Sequence, residues 1–251
     1  MKHLYRLYQL LVALPVAAVA TLLTSVVVTV GCTIGNGNFW GYWPGRIWAW
    51  VIIRVLLLPV KVEGRENLER GRSYVFAANH QGAFDIFLIY GFLHRNFKWM
   101  MKHQLARLPF VGLACRKSHQ VFVDKRTPAK VRQTYANARK ILSGGMSLVV
   151  FPEGARTFTG HMGRFKKGAF ALAKEAGLQV VPITINGSFR VMPRMRDMKW
   201  VEWQPLSLTI HAPVEIGEGE AALREAMDTC YGRVMGALEK EYQGFVENED
   251  Q

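Results

Sequence analysis

His80 and Asp85 are the residues of this chain whose types and spacing best fit a reaction centre. A carboxylate that folds back onto one imidazole nitrogen fixes the tautomer and leaves the other nitrogen free to accept a proton. Residues five apart do not face each other on a regular helix. The pair can therefore meet only if His80 lies in a turn. No Ser or Cys stands beside it, so such a base would activate a substrate hydroxyl rather than a protein nucleophile. The same spacing also fits a plainer role, in which His80 caps a helix and Asp85 offsets its dipole.

A second constellation, Phe151-Pro152-Glu153-Gly154-Ala155-Arg156-Thr157, ends another apolar run. Arg156 can hold a phosphate through two parallel hydrogen bonds, and Gly154 lets the backbone approach an anion closely. Glu153 has two possible partners, a substrate hydroxyl or Arg156. The helix expected after Phe165 would turn its N-terminal N–H groups toward the same region.

The elements around these motifs follow from pattern. Tyr74–Ala78 and Met146–Phe151 are short apolar runs of aromatic and β-branched residues, the signature of buried strands. Phe84–Leu93 is apolar and helix-length, so His80 falls on a strand-to-helix turn, where open α/β sheets place their sites. Val60–Glu63, Phe97–Met101, Val121–Val123, Val180–Ile185, Leu206–His211 and Val214–Ile216 read as further strands. Pro128–Leu142 has helical spacing with Gly144-Gly145 as its stop, and Ala221–Tyr242 reads as an amphipathic C-terminal helix. Between lies a basic, Met-rich loop, Arg190–Lys199. The fold class is α/β: a central, mostly parallel mixed sheet flanked by helices.

The first sixty residues differ in kind. No formally charged residue stands between Arg6 and Arg46, and Leu10–Val30 is long enough to cross a bilayer. A signal peptide competes, since Ala18-Val19-Ala20 resembles a cleavage site, but the apolar run continues ten residues past it. Ile47–Val60, with Trp43, Trp48 and Trp50 nearby, suits an interfacial or re-entrant helix. Basic residues flank both ends of the segment, which pulls both toward the cytoplasm. A hairpin dipping into one leaflet satisfies that pull, and a two-pass hairpin is the alternative. The expected organisation is a membrane-associated helical hairpin over 1–60 and an α/β domain over 61–251.

The chain carries 32 Lys+Arg against 19 Asp+Glu, a net charge of +13, which implies anionic partners. Arg95–Lys140 holds twelve basic residues and one acid, Asp124. A nucleic-acid binder is disfavoured, because the basic stretches adjoin an apolar segment and no nucleic-acid motif is present. Cys32, Cys115 and Cys230 fit neither a metal site nor a disulfide framework, which points to a reducing cytosolic setting.

Asn79-His80-x-x-x-x-Asp85, Val121-Phe122-Val123-Asp124, Phe151-Pro152-Glu153-Gly154-x-Arg156 and Val181-Pro182-Ile183, in this order, resemble the four sequence blocks of the glycerolipid acyltransferase family. The likeness is greatest to its bacterial 1-acyl-sn-glycerol-3-phosphate acyltransferases, and it covers roughly residues 61–187. The resemblance implies that His80 deprotonates a glycerol hydroxyl, which attacks an acyl thioester directly, with Asp85 orienting the base. Asn79 would belong to the substrate site. Asp124, Lys125, Arg126, Glu153, Gly154 and Arg156 would bind the glycerol phosphate, and Pro182 would shape the acyl and donor region. It implies no acyl-enzyme, no metal and no cofactor, and an acyl donor carried on coenzyme A or acyl carrier protein. The acceptor would be lysophosphatidic acid among the lipids of the cytoplasmic membrane, met on its cytoplasmic side. Acylation of another lysolipid, or lipid binding without chemistry, are the alternatives. Two departures stand out: Ala155 and Thr157 replace the usual Thr and Ser, and Lys125 takes the usual arginine position, with Arg126 one residue later.

Overall fold

The computed structural model describes residues 2–124, 126–194 and 200–246. Lys125 and the second half of the basic loop, residues 195–199, lie outside the described residues. Seven strands form one sheet: β1 (Val60–Glu63), β2 (Val75–Ala78), β3 (Phe97–Lys102), β4 (Val121–Val123), β5 (Ser147–Val150), β6 (Val180–Asn186) and β7 (Leu206–Ile210). Their spatial order is β1-β7-β6-β2-β5-β3-β4. The five strands from β6 to β4 run parallel, while β7 is antiparallel to β6 and carries β1 parallel to itself. The sheet is thus mostly parallel and mixed.

The main helices are α1 (Lys2–Ile34), α2 (Trp43–Val55), α3 (Phe84–Phe92), α4 (Val111–Lys117), α5 (Pro128–Ser143), α6 (Gly168–Glu175) and α7 (Gly219–Gly236). Alternation along β2 decides what each face of the sheet packs on. Phe76 and Ala78 join a core with Ile53 of α2 and Leu88 and Ile89 of α3. Val75 and Ala77 join a second core with Leu142 of α5, Phe170 of α6 and Val234 of α7. β2 is buried along its whole length, as expected for a parallel strand covered on both faces.

Two expected elements are cut short. Val214–Ile216 is not a strand; only an isolated bridge joins Val214 to Val180, and Pro213 before it has no N–H with which to extend a ladder. The C-terminal helix stops at Gly236 rather than Tyr242. Glycine is a poor helix former, and Asn186 captures the departing chain by donating to Ala237 O (2.9 Å) and accepting from Glu239 N (3.0 Å). Leu238 and Tyr242 remain buried beyond the break.

The N-terminal hairpin is longer in α1 and earlier in α2 than its apolar runs indicate. A π-helical stretch, Gln9–Ala13, precedes Pro15, which cannot donate to the carbonyl four residues back and would clash with it in a regular helix. Tyr5 and Tyr8 donate to Leu56 O and Val55 O (2.7 and 2.8 Å), closing the hairpin's base. Gln9 exchanges two hydrogen bonds with the backbone of Val201 (2.7 and 3.0 Å). At the tip, the buried Lys98 donates to Gly37 O (3.2 Å) and Asn96 to Asn38 O (2.9 Å). The hairpin is therefore bonded to the α/β domain at base and tip, and runs along it. Only 17 % of the most apolar stretch of α1 is buried; Leu11, Leu14, Val19 and Leu23 are among the side chains left exposed.

Candidate active site

β2 and β5 are neighbours, with Ala77 opposite Val150. Three residues beyond each member of that pair stand His80 and Glu153. Register alone thus brings the two sequence motifs together at the C-terminal edge of the sheet.

Asn79 makes the departure from β2 possible. It is fully buried, donates to Ile185 O (2.9 Å) and accepts from Ile185 N (2.7 Å). Its side-chain amide thus imitates a strand residue toward β6 while the main chain turns away. Expected in the substrate site, it is here occupied otherwise: both polar groups of the amide are bound to the backbone of β6.

His80 is held on every side but one. Its N–H donates to Glu153 Oε1 (2.6 Å), and its carbonyl accepts from Thr157 N (3.1 Å). Its ring stacks on Phe151 with centroids 3.8 Å apart and planes within 8°. Nδ1 lies 2.7 Å from Asp85 Oδ2. Asp85 is fully buried in the first turn of α3, and the same oxygen accepts from Gly82 N (3.0 Å). The carboxylate selects the Nδ1–H tautomer, so Nε2 carries the lone pair. Among the described residues Nε2 has no hydrogen-bond partner, and the side chain is 14 % exposed.

Glu153 is 1 % exposed. Its second oxygen accepts from Gly163 N (2.7 Å). The expected partners, Arg156 or a substrate hydroxyl, are replaced by two backbone amides, from the turn after β2 and from the loop before α6. Burial pushes this carboxyl up to about 8, with Asp85 adding to the rise and the two amides and Lys166 opposing it.

Arg156, half-buried on the same loop, has no hydrogen-bond or ion-pair partner for its guanidinium among the described residues. Gly154 takes φ +85°, and a Cβ there would meet Lys166 Nζ at 3.0 Å. The loop therefore needs glycine for its backbone angle, and the Lys166 ammonium lies close against it. Asp124 and Arg126 stand apart from this group. β4 lies three strands from β2, roughly 14 Å at ordinary strand spacing. Asp124 is paired with Arg126 (2.6 Å) and Lys130 (3.3 Å), which hold its carboxyl well below the usual range. Pro182 is buried within β6, opposite Ala77, below the strand ends rather than lining an open groove. Its missing N–H faces the β7 side, past the last paired residue, where its carbonyl accepts from His211 N (3.0 Å).

Three contributors escaped the sequence reading. Phe151 gives the ring its stacking surface. Thr157 supplies an amide to the turn that carries His80, and Gly163 supplies one to Glu153. Phe151 stood in the motif but carried no sign of its partner, and nothing in the sequence marks which amide meets Glu153. No group of three or more His, Cys, Asp or Glu among the described residues could hold a metal ion.

The chain is 30% identical over 182 residues to the chloroplastic 1-acyl-sn-glycerol-3-phosphate acyltransferase LPAT1 of Arabidopsis thaliana, covering 72% of this chain and 50% of that protein. It is 31% identical over 129 residues to the 1-acyl-sn-glycerol-3-phosphate acyltransferase of Borreliella burgdorferi, 51% of each. The chain thus spans about half the length of such relatives. The crystal structure of the 1-acyl-sn-glycerophosphate acyltransferase PlsC from Thermotoga maritima superposes with a TM-score of 0.74 at 26% identity, over 92% of both chains. A family model described as Acyltransferase matches residues 59–186, which hold β1 to β6 and both motifs; this chain belongs to the acyltransferase family.

Proposed function

We propose that this protein transfers a fatty acyl group from a thioester to the sn-2 hydroxyl of 1-acyl-sn-glycerol 3-phosphate, giving phosphatidic acid. The observation that carries the reading is the fixed His80–Asp85 pair, with neither Nε2 nor the Arg156 guanidinium on the neighbouring loop paired among the described residues. Nε2 takes the hydroxyl proton as the oxygen attacks the thioester carbonyl carbon. The tetrahedral intermediate collapses, the C–S bond breaks, and the departing thiolate takes the proton back from the imidazolium. Every proton is returned, and the reaction needs no metal, cofactor or acyl-enzyme. Arg156 holds the acceptor phosphate, with Lys166 adding charge. The donor is acyl-CoA or acyl carrier protein; both are anionic and suit the basic Arg95–Lys140 segment.

The hairpin seats the enzyme in one leaflet on the cytoplasmic side. A helix bonded near both ends to the same water-soluble domain lies along that domain, so its exposed apolar face enters the bilayer from one side. The test is acyl transfer by purified protein, with lysolipid acceptors crossed against both donors. Lysophosphatidic acid is expected to be preferred, and His80→Ala to lose at least about 100-fold in kcat. Arg156→Ala is expected to raise KM for that acceptor and not for the donor. Transfer retained by His80→Ala, or a donor-side effect in Arg156→Ala, refutes the assignment.

A further inference from the structure

We propose that Trp200–Trp203 forms a second membrane contact, its two indoles lying at the headgroup level of the bilayer beside the mouth of the site. The proposal rests on the one-leaflet reading of the hairpin above.

The segment is bonded to the hairpin through Val201 and, through Glu202 and Val191, to the residues that adjoin the active site. Upstream, Pro193 bridges Gly82 and Met192 O accepts from Ala83 N (3.3 Å). Arg194 donates to Arg156 O (3.0 Å) and lies over the Phe158 ring at 4.0 Å. Downstream, Val201 exchanges its two hydrogen bonds with Gln9 of α1. Glu202 lies 3.6 Å from Arg6 and donates its N–H to Val191 O (3.0 Å). The indole of Trp203 donates to Leu57 O (2.9 Å). Its backbone is fixed, yet its two largest apolar side chains stay outside: Trp200 is 42 % exposed and Trp203 53 %.

A fixed loop gains nothing in water by showing two indoles, since burying them against neighbours would be favourable. Tryptophan has an apolar body and one polar N–H, and it settles where a bilayer changes from hydrocarbon to headgroup. The occupant follows from continuity. Leu57 beside Trp203 is exposed, and so are Leu4 and Leu7 on the adjoining turn of α1, so the indoles extend the apolar face already assigned to the bilayer.

The test compares the wild type with Trp200→Ser/Trp203→Ser and, as a shape-keeping control, Trp200→Phe/Trp203→Phe. Each is assayed with a long-chain lysophosphatidic acid embedded in mixed phosphatidylcholine–phosphatidylglycerol vesicles, and with a short-chain acceptor monomeric in water. Quenching of tryptophan emission by brominated lipids in the same vesicles is read in parallel. The serine variant is expected to lose about tenfold on the embedded acceptor and nothing on the monomeric one. The phenylalanine variant should keep most of the rate, and both should show a smaller quenched fraction than the wild type. An equal fall on both acceptors, or no change in either rate or quenching, overturns the proposal. So does a wild-type dimer that the serine variant makes monomeric, because the indoles would then cover a second copy. A wild type that acylates neither acceptor refutes the acyl-transfer reading alone, and quenching then decides this one.

Discussion

Replacing Glu153 by Gln keeps the shape of the side chain and removes one acceptor. In the native site Oε1 accepts from His80 N at 2.6 Å and Oε2 from Gly163 N at 2.7 Å. An amide offers one oxygen, so its NH2 group must point at one of the two backbone donors. Above about pH 8, where the native carboxylate is ionised, the variant loses one hydrogen bond to a charged group and leaves a buried N–H unpaired, a combined cost on the order of 3 kcal/mol. If the two loops hold their places, that cost falls on stability; at about 2–4 °C per kcal/mol for a chain of this size, the melting temperature drops by roughly 6–12 °C. If the turn after β2 yields instead, His80 moves, and a displacement near 1 Å costs about 100-fold in kcat. Either way KM for the acceptor stays within about twofold, because a side chain that is 1 % exposed does not touch it. Thiol release under initial-rate conditions gives kcat and KM, and a thermal melt in detergent gives the rest. A tenfold rise in KM with kcat and melting temperature intact would refute the reasoning and return Glu153 to the substrate site.

The same carboxyl sets a pH signature: burial raises it from 4.5 to about 8, so the folded chain holds its proton where the unfolded chain has released it, and stability from this group is greatest below about 4.5 and falls as pH rises to about 8. Denaturant melts across that window should show the slope in the wild type and its loss in Glu153→Gln. Only the ionised carboxylate accepts from both amides, so kcat should rise over the same window; a kcat that falls from pH 6 to 8 contradicts this. Phe151→Leu keeps an apolar side chain beneath His80 but removes the 3.8 Å ring stack, worth about 1 kcal/mol, so kcat should fall about fivefold while KM holds. Asn79→Ala orphans the buried N–H and C=O of Ile185 and should cost on the order of 3 kcal/mol in a denaturant melt without raising acceptor KM.

The His80–Asp85 pair was legible because its spacing excludes a regular helix. A histidine and an aspartate five apart can meet only across a turn, and an apolar run before with a helix after left one place for that turn. The nearness of the second motif was not legible. β5 reaches β2 by passing over β3 and β4 in sequence, and nothing local encodes a pairing that skips two strands. Residue type left the hydrogen-bond partners unread in two places for a common reason. Asn79 and Glu153 look like ligand groups because polar side chains at strand ends so often are, and their burial rests on backbone amides 106 and 10 residues away, respectively. The end of α7 was misread because Leu238 and Tyr242 keep their apolar contacts after the helix has ended, so burial continued the pattern that the backbone had left.

Asn79 and Glu153 also share a consequence for catalysis. A chain leaving a parallel sheet abandons the ladder, and its amides must find new partners or stay exposed. Here the side chain of Asn79 supplies the missing ladder bonds toward β6, and that of Glu153 receives the first free amide on the β5 side. His80, lodged between them, is fixed through its N–H, its carbonyl, its ring face and Nδ1 before any substrate arrives. The one nitrogen left open has little freedom to be anywhere else. On the proposed reading, an acceptor hydroxyl held by its distant phosphate would have to come to His80, since His80 cannot move to it. Position along the glycerol would then be set by the separation of Arg156 from Nε2, and lengthening the acceptor by one methylene between phosphate and hydroxyl should lower kcat more than it raises KM. An acceptor so lengthened that reacts at the native kcat would show that the histidine is looser than its four contacts imply.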